Sequence, residues 1–210
     1  MIDERGNIRV PFEFLPFIKK TTAYRAMSKT MLSHVFDTIE RYRIEVSINF
    51  DTGDFFDETL YELIFQMISQ HQKNASLLTI ELLEDQEITD IDAIVQRIEK
   101  LRNLGAKIAI DDFGSGYSTF SYLLGIKPDY LKIDGSLIQN IGKVENAENV
   151  VASIVNICST LGIQTVAEYV EDEEKIECLK RLNIDFLQGY AIGTPSALPA
   201  IEEFIFAEEA

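Results

Sequence analysis

The sequence predicts a wound α/β fold in which parallel strands alternate with helices. Six short apolar runs are separated by amphipathic stretches of helical period, and each run ends in a carboxylate, an amide or a lysine. Strands that alternate with helices lie parallel, so their carboxyl ends open on the same side of the sheet. The polar residues that follow the runs are therefore predicted to share one face.

Three segments repeat one plan, and this repetition supports the wound fold. KLRNLGAKIAID, ICSTLGIQTVAE and CLKRLNIDFLQG each contain the end of an amphipathic helix, a turn residue, a short apolar strand and a polar residue. The turn residues are Gly105, Gly162 and Asn183, which suit the left-handed conformation that ends many helices. The polar residue follows the turn by six, six and five positions, so the same unit recurs with its functional group in the same place.

The first half of the chain is predicted to contain two strands. Positions 11 to about 42 are predicted to be helical, with Pro16 tolerated near the helix start. Strand RIEVSINF, helix DETLYELIFQMISQHQK and strand SLLTIELLE follow. Asp90 is predicted to be the N-cap of the next helix, DIDAIVQRIEKLRNLG.

The second half is predicted to contain four strands. Strand AKIAIDD precedes the loop FGSGYS, the short helix TFSYLLG and strand DYLKID. A loop rich in Gly and Asn comes next, and helix AENVVASIVNICSTLG and strand IQTVAE follow it. Helix EDEEKIECLKRLN, strand FLQGYAI and a terminal helix complete a single domain without an evident linker.

The composition argues for a single globular domain and against several classes of function. The 210 residues fit one domain, and no apolar run approaches the roughly 20 residues of a membrane span. The start MIDERGNIRV is too polar for a signal peptide, and Cys158 and Cys178 are predicted to be buried free thiols in a reducing cytoplasm. The net charge of -16 disfavours extended nucleic acid as a partner. His34 and His71 lie away from the strand ends, which disfavours zinc and histidine catalysis.

The polar residues at the strand ends predict a divalent metal site. They are Asn49, Glu81, Asp111, Asp112, Lys132, Glu168 and Gln188. Converging carboxylates would repel one another unless cations lay among them. Alternation along KIAIDD places Asp111 and Asp112 on opposite sides of their strand, where they could address two ions or one ion and a loop. Lys132 and Asp134 share one face of LKID.

At these residues the chain resembles the EAL family of cyclic-di-GMP phosphodiesterases. DDFGSGYS, LKIDGS, TVAEYVE and QGYAIGTP are similar in order and spacing to that family's DDFG-loop, KID, AEGVE and QGY segments, and SINF and IELLE stand for its VNLS and EITE. The match covers positions 11 to 199. It implies a modified TIM (β/α)8-type barrel with one antiparallel strand, two Mg or Mn ions, and hydrolysis of cyclic-di-GMP to linear pGpG in the cytoplasm.

The resemblance also implies a role for each site residue. One metal would be held by Asn49, Glu81 and Asp111, and the second by Asp111, Asp112 and Glu168. Lys132 would orient the attacking water, with Glu168 and the supporting Asp134 counted as catalytic. Gln188 and Glu171 would contact the substrate, and Glu84 would anchor the DDFG loop.

Two departures from the family pattern lead to further expectations. The glycine of AEGVE is Tyr169 here, which would reshape the substrate wall. The Glu-Ala-Leu segment, with its metal-binding glutamate, would precede Met1, so residues 1–210 are expected to be one EAL-type barrel without its first one or two strands. Open sheet edges favour association with another chain, so a homodimer is expected.

Two functions remain open from the sequence. The metal ligands and Lys132 favour the phosphodiesterase, while the missing glutamate favours a non-catalytic cyclic-di-GMP receptor or interaction module. A metal-dependent enolising barrel also pairs carboxylates with a lysine, but the doubled Asp111-Asp112 and the lack of an acid-base partner argue against it. Regulatory domains in a longer parent protein are left open.

Overall fold

The computed structural model describes residues 9–83, 91–115 and 120–196 and contains one six-stranded sheet. Each strand pairs in parallel with its neighbour in the chain, so the sheet order is the chain order. The strands are β1 (Val46–Asp51), β2 (Leu78–Leu83), β3 (Lys107–Phe113), β4 (Tyr130–Ile133), β5 (Gln164–Ala167) and β6 (Phe186–Leu187). The six predicted strands are confirmed, and the antiparallel strand implied by the resemblance is not among those described.

Helices connect the successive strands, as the repeating units predict. They are α1 (Pro11–Ile18), α2 (Thr22–Tyr42), α3 (Thr52–Phe56), α4 (Glu58–Gln70), α5 (Ile91–Asn103), α6 (Phe120–Ile126), α7 (Gly135–Asn140), α8 (Ala147–Leu161) and α9 (Glu173–Arg181), with a 3-10 helix at Gln72–Leu77. None of the helices in the described ranges is long and apolar enough to cross a membrane.

The predicted turn residues have the predicted conformation. Gly105, Gly162 and Asn183 have φ angles of 110°, 72° and 59°, respectively. Such angles suit glycine and asparagine, because a larger or branched side chain meets its own backbone there. The recurring helix-turn-strand unit is thereby confirmed at all three places.

Three elements differ from the prediction, and one is the strand predicted over FLQGYAI, of which only Phe186–Leu187 forms β6. The predicted continuous helix is divided into α1 and α2, because Lys19 is extended and Lys20 is left-handed, while the Thr21 side chain caps α2 by accepting from the Tyr24 amide. The predicted loop after LKID contains the short helix α7, which Asp134 caps. Asp90 and the terminal helix lie outside the described residues.

Apolar side chains of strands and helices form the core. Ile80, Ile108 and Leu131 on three neighbouring strands are fully buried, as are Phe36 of α2 and Ile98 of α5. This packing holds the strands in a fixed register and so positions their ends. Both cysteines are buried and free, as predicted.

The sheet curls so that alternate strand residues line a shared interior. A cavity of about 180 Å³ there is bordered by residues from all six strands or the positions flanking them. The lining residues are Glu45, Ser47, Thr79, Glu81, Ala109, Tyr130, Lys132, Val166, Phe186 and Gln188. Their spacing of two follows from the strand geometry, in which successive side chains point to opposite faces.

Candidate metal centre and active site

Lys132 on β4 gathers three carboxylates at the carboxyl end of the sheet. Lys132 is 5% exposed. Its Nζ lies 2.9 Å from Oε2 of Glu81, 2.7 Å from Oδ1 of Asp111 and 2.8 Å from Oε1 of Glu168. The three acids are also buried, and they come from β2, β3 and the end of β5. The convergence of strand ends that the sequence predicts is therefore present around one lysine.

The register of the parallel strands explains this arrangement. Lys132 is paired with Val166, and the amide of Glu168 donates to the carbonyl oxygen of Ile133 at 3.2 Å. Glu168 thus follows β5 directly but remains tied to β4 by a backbone hydrogen bond. The backbone fixes where its carboxylate enters the site.

Electrostatics in this cluster favour a bound cation. Burial alone would lower the pKa of Lys132, but its contacts with Asp111 and Glu168 and the charge of Glu81 outweigh that effect and raise it. Burial also raises the pKa of Glu168. The contact with Lys132 lowers this pKa in part, while the negative charges of Asp111 and Asp112 raise it further. One ammonium faces three carboxylates, so the cluster keeps excess negative charge that a divalent ion would neutralise.

Asp112 joins the same cluster because β3 is irregular at this point. The β3–β4 register shifts between Ile110 and Phe113, and Asp112 has a φ of 53°. Carboxylate oxygens of Asp111, Asp112 and Glu168 all lie within 4.8 Å of one another. The predicted placement of the two aspartates on opposite sides of the strand stays a prediction, and the irregular register beside Asp112 accompanies the short distances between the carboxylate oxygens.

The donor set of this cluster fits magnesium or manganese. Oδ1 of Asp111 is buried without a hydrogen-bond partner of suitable geometry, although it forms the 2.7 Å ion pair with Lys132. Buried oxygen acceptors normally have such a partner. Carboxylate oxygens are the ligands that these hard divalent cations prefer. Asp111, Asp112 and Glu168 are thus able to hold an ion.

Asn49 is placed beside the cluster by strand pairing. It is the Cα partner of Glu81 in the β1–β2 register, and its side chain is exposed. Glu81 already shares Lys132 with Asp111. The neighbouring ligand set of Asn49, Glu81 and Asp111 stays a prediction that this register supports.

Comparison with known proteins identifies the family. The profile of the EAL domain matches residues 2–195. The chain belongs to the EAL domain family.

Several EAL relatives share much of this chain. The Escherichia coli protein named cyclic di-GMP phosphodiesterase PdeF is 31% identical over 203 residues, which are 94% of this chain and 27% of the relative. PdeB of Shewanella oneidensis, also named a cyclic di-GMP phosphodiesterase, is 35% identical over 153 residues, or 73% of this chain and 18% of the relative. This chain therefore spans about a quarter or less of the length of these two relatives.

Solved EAL structures have the same fold. An EAL domain protein from Listeria monocytogenes superposes with a TM-score of 0.85 at 29% identity, covering 93% of this chain and 78% of that one. The PaMucR phosphodiesterase, solved as a c-di-GMP complex, gives a TM-score of 0.84 at 28% identity, covering 95% and 83%. The fold is accordingly TIM-barrel-like, as the resemblance implies.

The remaining predicted site residues of this EAL domain lie around the cluster. Asp134 caps α7, accepting from the amide and the hydroxyl of Ser136. Gln188 and Glu171 are exposed and border a second cavity next to Glu168. The catalytic role of Asp134 and the substrate roles of Gln188 and Glu171 stay predictions, and Glu84 lies outside the described residues.

A second polar cluster was not predicted from the sequence. Lys107, at the start of β3, lies 2.6 Å from Oε1 of Glu45 and 3.0 Å from the Tyr130 hydroxyl, at the amino ends of the strands. Lys107 and Asp111 share one face of β3, since they are separated by four positions. This alternation indicates an inward lysine, but no local pattern indicates that Glu45, 62 positions away, is its partner.

Proposed function

We propose that this chain is a catalytic EAL domain that hydrolyses cyclic-di-GMP to linear pGpG with two divalent ions, Mg or Mn. The observation that carries the proposal is the buried Lys132 held between 2.7 and 2.9 Å from three carboxylates of three strands. Such an assembly is costly to bury and suits a task that needs charge in a fixed place. The two buried free cysteines accord with reaction in the cytoplasm.

The named relatives support this substrate. PdeF and PdeB are named cyclic di-GMP phosphodiesterases, and the PaMucR phosphodiesterase was solved with c-di-GMP. The matches to PdeF and to the PaMucR phosphodiesterase cover 94% and 95% of this chain. Cyclic-di-GMP is therefore the first substrate to test.

The acidic cluster would hold the ions. Lys132 would orient the attacking water and offset negative charge on the phosphate. Asp111, Asp112 and Glu168 would bind one ion, and Asn49, Glu81 and Asp111 the other. When bound, such ions lower the pKa of water and stabilise negative charge on a phosphodiester. The raised pKa of Lys132 keeps its ammonium protonated, so it acts as a hydrogen-bond donor and a fixed positive charge, and not as a base.

We also propose that a further strand, bearing the Glu-Ala-Leu glutamate, pairs with β1 in the complete site. Within the described residues β1 pairs only with β2. A cavity of about 350 Å³ lies between this edge and the first two helices, and its lining includes Leu15, Met27, Ile48 and Asn49. An unpaired strand edge also favours pairing between copies, which supports the expected homodimer and is measurable by light scattering.

A turnover assay tests the proposal directly. The chain would be incubated with cyclic-di-GMP and Mn²⁺ or Mg²⁺, and pGpG would be quantified by chromatography. Lys132→Ala is expected to lower the turnover rate by about 10²–10³-fold with a smaller loss of binding, because the lysine acts mainly on the reacting charges. Lys107→Ala, at the other end of the strands, is the matched control and should retain the rate.

The outcomes separate the two functions that the sequence leaves open. Binding of cyclic-di-GMP without turnover, in this chain and in a version extended to carry the Glu-Ala-Leu strand, would support the receptor in place of the enzyme. Neither binding nor turnover in both versions would overturn the proposal.

A further inference from the structure

Tyr169 adopts an unusual backbone conformation directly beside the acidic cluster. It follows Glu168, has a φ of 53° and is 59% exposed. Such an angle is uncommon and energetically unfavourable for a bulky residue by comparison with a right-handed conformation. An aromatic residue with a strained backbone and a water-exposed side chain indicates a role other than core packing.

The ring of Tyr169 is seated against the start of α7. A methyl group added at the buried Gly135 would lie 2.2 Å from Cδ2 and 2.6 Å from Cγ of Tyr169. Only a residue without a side chain leaves room for the ring there. One side of the ring is thus supported by the protein, while more than half of the residue remains accessible.

A cavity of about 320 Å³ adjoins this ring. Its lining consists of Glu168, Tyr169, Glu171, Gln188, Gly189 and Tyr190. That volume is at the lower end of the range of about 300–1,000 Å³ for small-molecule sites. The cavity therefore has room for part of a nucleotide whose phosphate lies at the cluster.

The two segments that border the cavity are tied together. The Val170 amide donates to the Gln188 carbonyl oxygen at 3.1 Å, and the Ala191 amide donates to the Val170 carbonyl oxygen at 2.9 Å. The backbones approach so closely that a methyl group on Gly189 would lie 2.3 Å from the Val170 nitrogen. The backbone around Tyr169 is consequently held in place before a ligand binds, which reduces the conformational entropy that the protein loses on binding.

We propose that Tyr169 is the stacking platform for a purine base of the bound nucleotide. This inference rests on the proposed function, because it takes the phosphate to lie at the cluster beside Glu168. The base is uncharged, so the acidic lining does not repel it, and aromatic faces bind bases by stacking. Tyr169 is thus a specificity-determining residue that favours purine nucleotides over phosphates without a base.

Binding of ligands with and without a base tests this platform. The product pGpG, GMP and ribose 5-phosphate would be titrated calorimetrically in Mg²⁺ against the wild type, Tyr169→Gly and Tyr169→Phe, because cyclic-di-GMP would be hydrolysed during the titration. Tyr169→Gly is expected to weaken both guanine ligands about tenfold and to leave ribose 5-phosphate unchanged, while Tyr169→Phe keeps wild-type affinity. Glycine accepts a positive φ, so this variant should fold with an unchanged or higher Tm.

Gly135→Ala provides a second, independent variant. Its methyl group should displace the Tyr169 ring and weaken guanine binding as Tyr169→Gly does. Combined with Tyr169→Gly it should weaken binding no further, because the ring that it displaces is already gone. Additive losses in the double variant would contradict the contact on which the platform depends.

The result distinguishes failure of the platform from failure of the function. If the wild type hydrolyses cyclic-di-GMP but Tyr169→Gly binds both guanine ligands as tightly, the platform is wrong and the phosphodiesterase stands. If the wild type neither binds nor hydrolyses cyclic-di-GMP, both proposals fall.

Discussion

Two lysines lie inside the curled sheet, one near each end of the strands, and their surroundings differ. Lys107 at the amino end meets one carboxylate, Glu45, and the Tyr130 hydroxyl, and 28% of its side chain is exposed. Lys132 at the carboxyl end meets three carboxylates with 7% of its side chain exposed. The amino end is nearly balanced in charge and solvated, whereas the carboxyl end keeps excess buried negative charge.

The buried cluster at the carboxyl end is an arrangement that selection for stability alone would not favour, whereas the solvated ion pair at the amino end has little effect on stability. A partly solvated ion pair contributes little, and its loss leaves no buried charge behind. A buried group of carboxylates depends on its one cation or on a bound metal.

Lys132→Ala should have the largest effect on stability. Removing the ammonium leaves Glu81, Asp111 and Glu168 buried without their shared cation, which should lower the free energy of unfolding by about 3–5 kcal/mol in EDTA. Urea titration measures this value. Adding Mn²⁺ should recover part of the loss, and an equal loss with and without metal would argue against an ion at this cluster.

Asp54 is a buried carboxylate whose side-chain hydrogen-bond donor is a neutral hydroxyl and not an ammonium group. It lies on α3 near the carboxyl end of β1 and accepts from the Tyr24 hydroxyl at 2.7 Å. Burial raises its pKa from 3.8 to about 6, although that hydrogen bond opposes the shift. The folded state therefore binds this proton more tightly than the unfolded state does.

Stability should consequently fall as the pH rises from about 4 to about 6, the window between the two pKa values of Asp54. The contribution of this group is most favourable below its unfolded pKa and lost above its folded pKa. Asp54→Asn should remove a decline of about 3 kcal/mol between pH 3 and 7, as measured by urea titration at each pH. Parallel pH profiles for the two proteins would show that folding does not raise the pKa of Asp54.

Asp111→Asn should abolish the response to metal. At a metal concentration of about 100 times Kd, an ion that binds only the folded state adds about 2.7 kcal/mol, or on the order of 5–10 °C in Tm. Differential scanning fluorimetry with Mg²⁺ or Mn²⁺ measures the shift. The variant should show none, because Asp111 belongs to both proposed ligand sets, and a retained shift would place the ion elsewhere.

Lys107→Met should have the smallest effect. Its partner Glu45 is 54% exposed at the side chain and can regain water, so the loss of stability should stay below about 1 kcal/mol. The turnover rate should also be preserved. A loss as large as that of Lys132→Ala would show that the two ends are equivalent, and would remove the basis of the comparison.

Local patterns were enough to predict the strands and most of the site. Apolar runs and the turn residues Gly105, Gly162 and Asn183 locate the repeating units, because their effects act within a few positions. Parallel strands then bring Glu81 and Glu168 together without any detailed geometry.

The features that were not predicted depend on contacts between distant parts of the chain or on small backbone changes. The Asp112 bulge shifts one position in a strand, and strict alternation cannot represent it. Helix α7 begins at a glycine, a residue of low helix propensity, and is stabilised by its Asp134 cap. The contact of Tyr169 with Gly135 links the segment after β5 to the start of α7, and no sequence motif relates the two.

That contact also restricts which side chains positions 135 and 169 can carry together. A side chain at position 135 and the present ring position of Tyr169 exclude each other, since even a methyl group would lie 2.2 Å from Cδ2. A chain with a side chain at 135 would have to hold Tyr169 in another rotamer or carry a smaller residue at 169. Gly135 is therefore a condition for the present position of the Tyr169 ring, while the ring is no condition for glycine at 135.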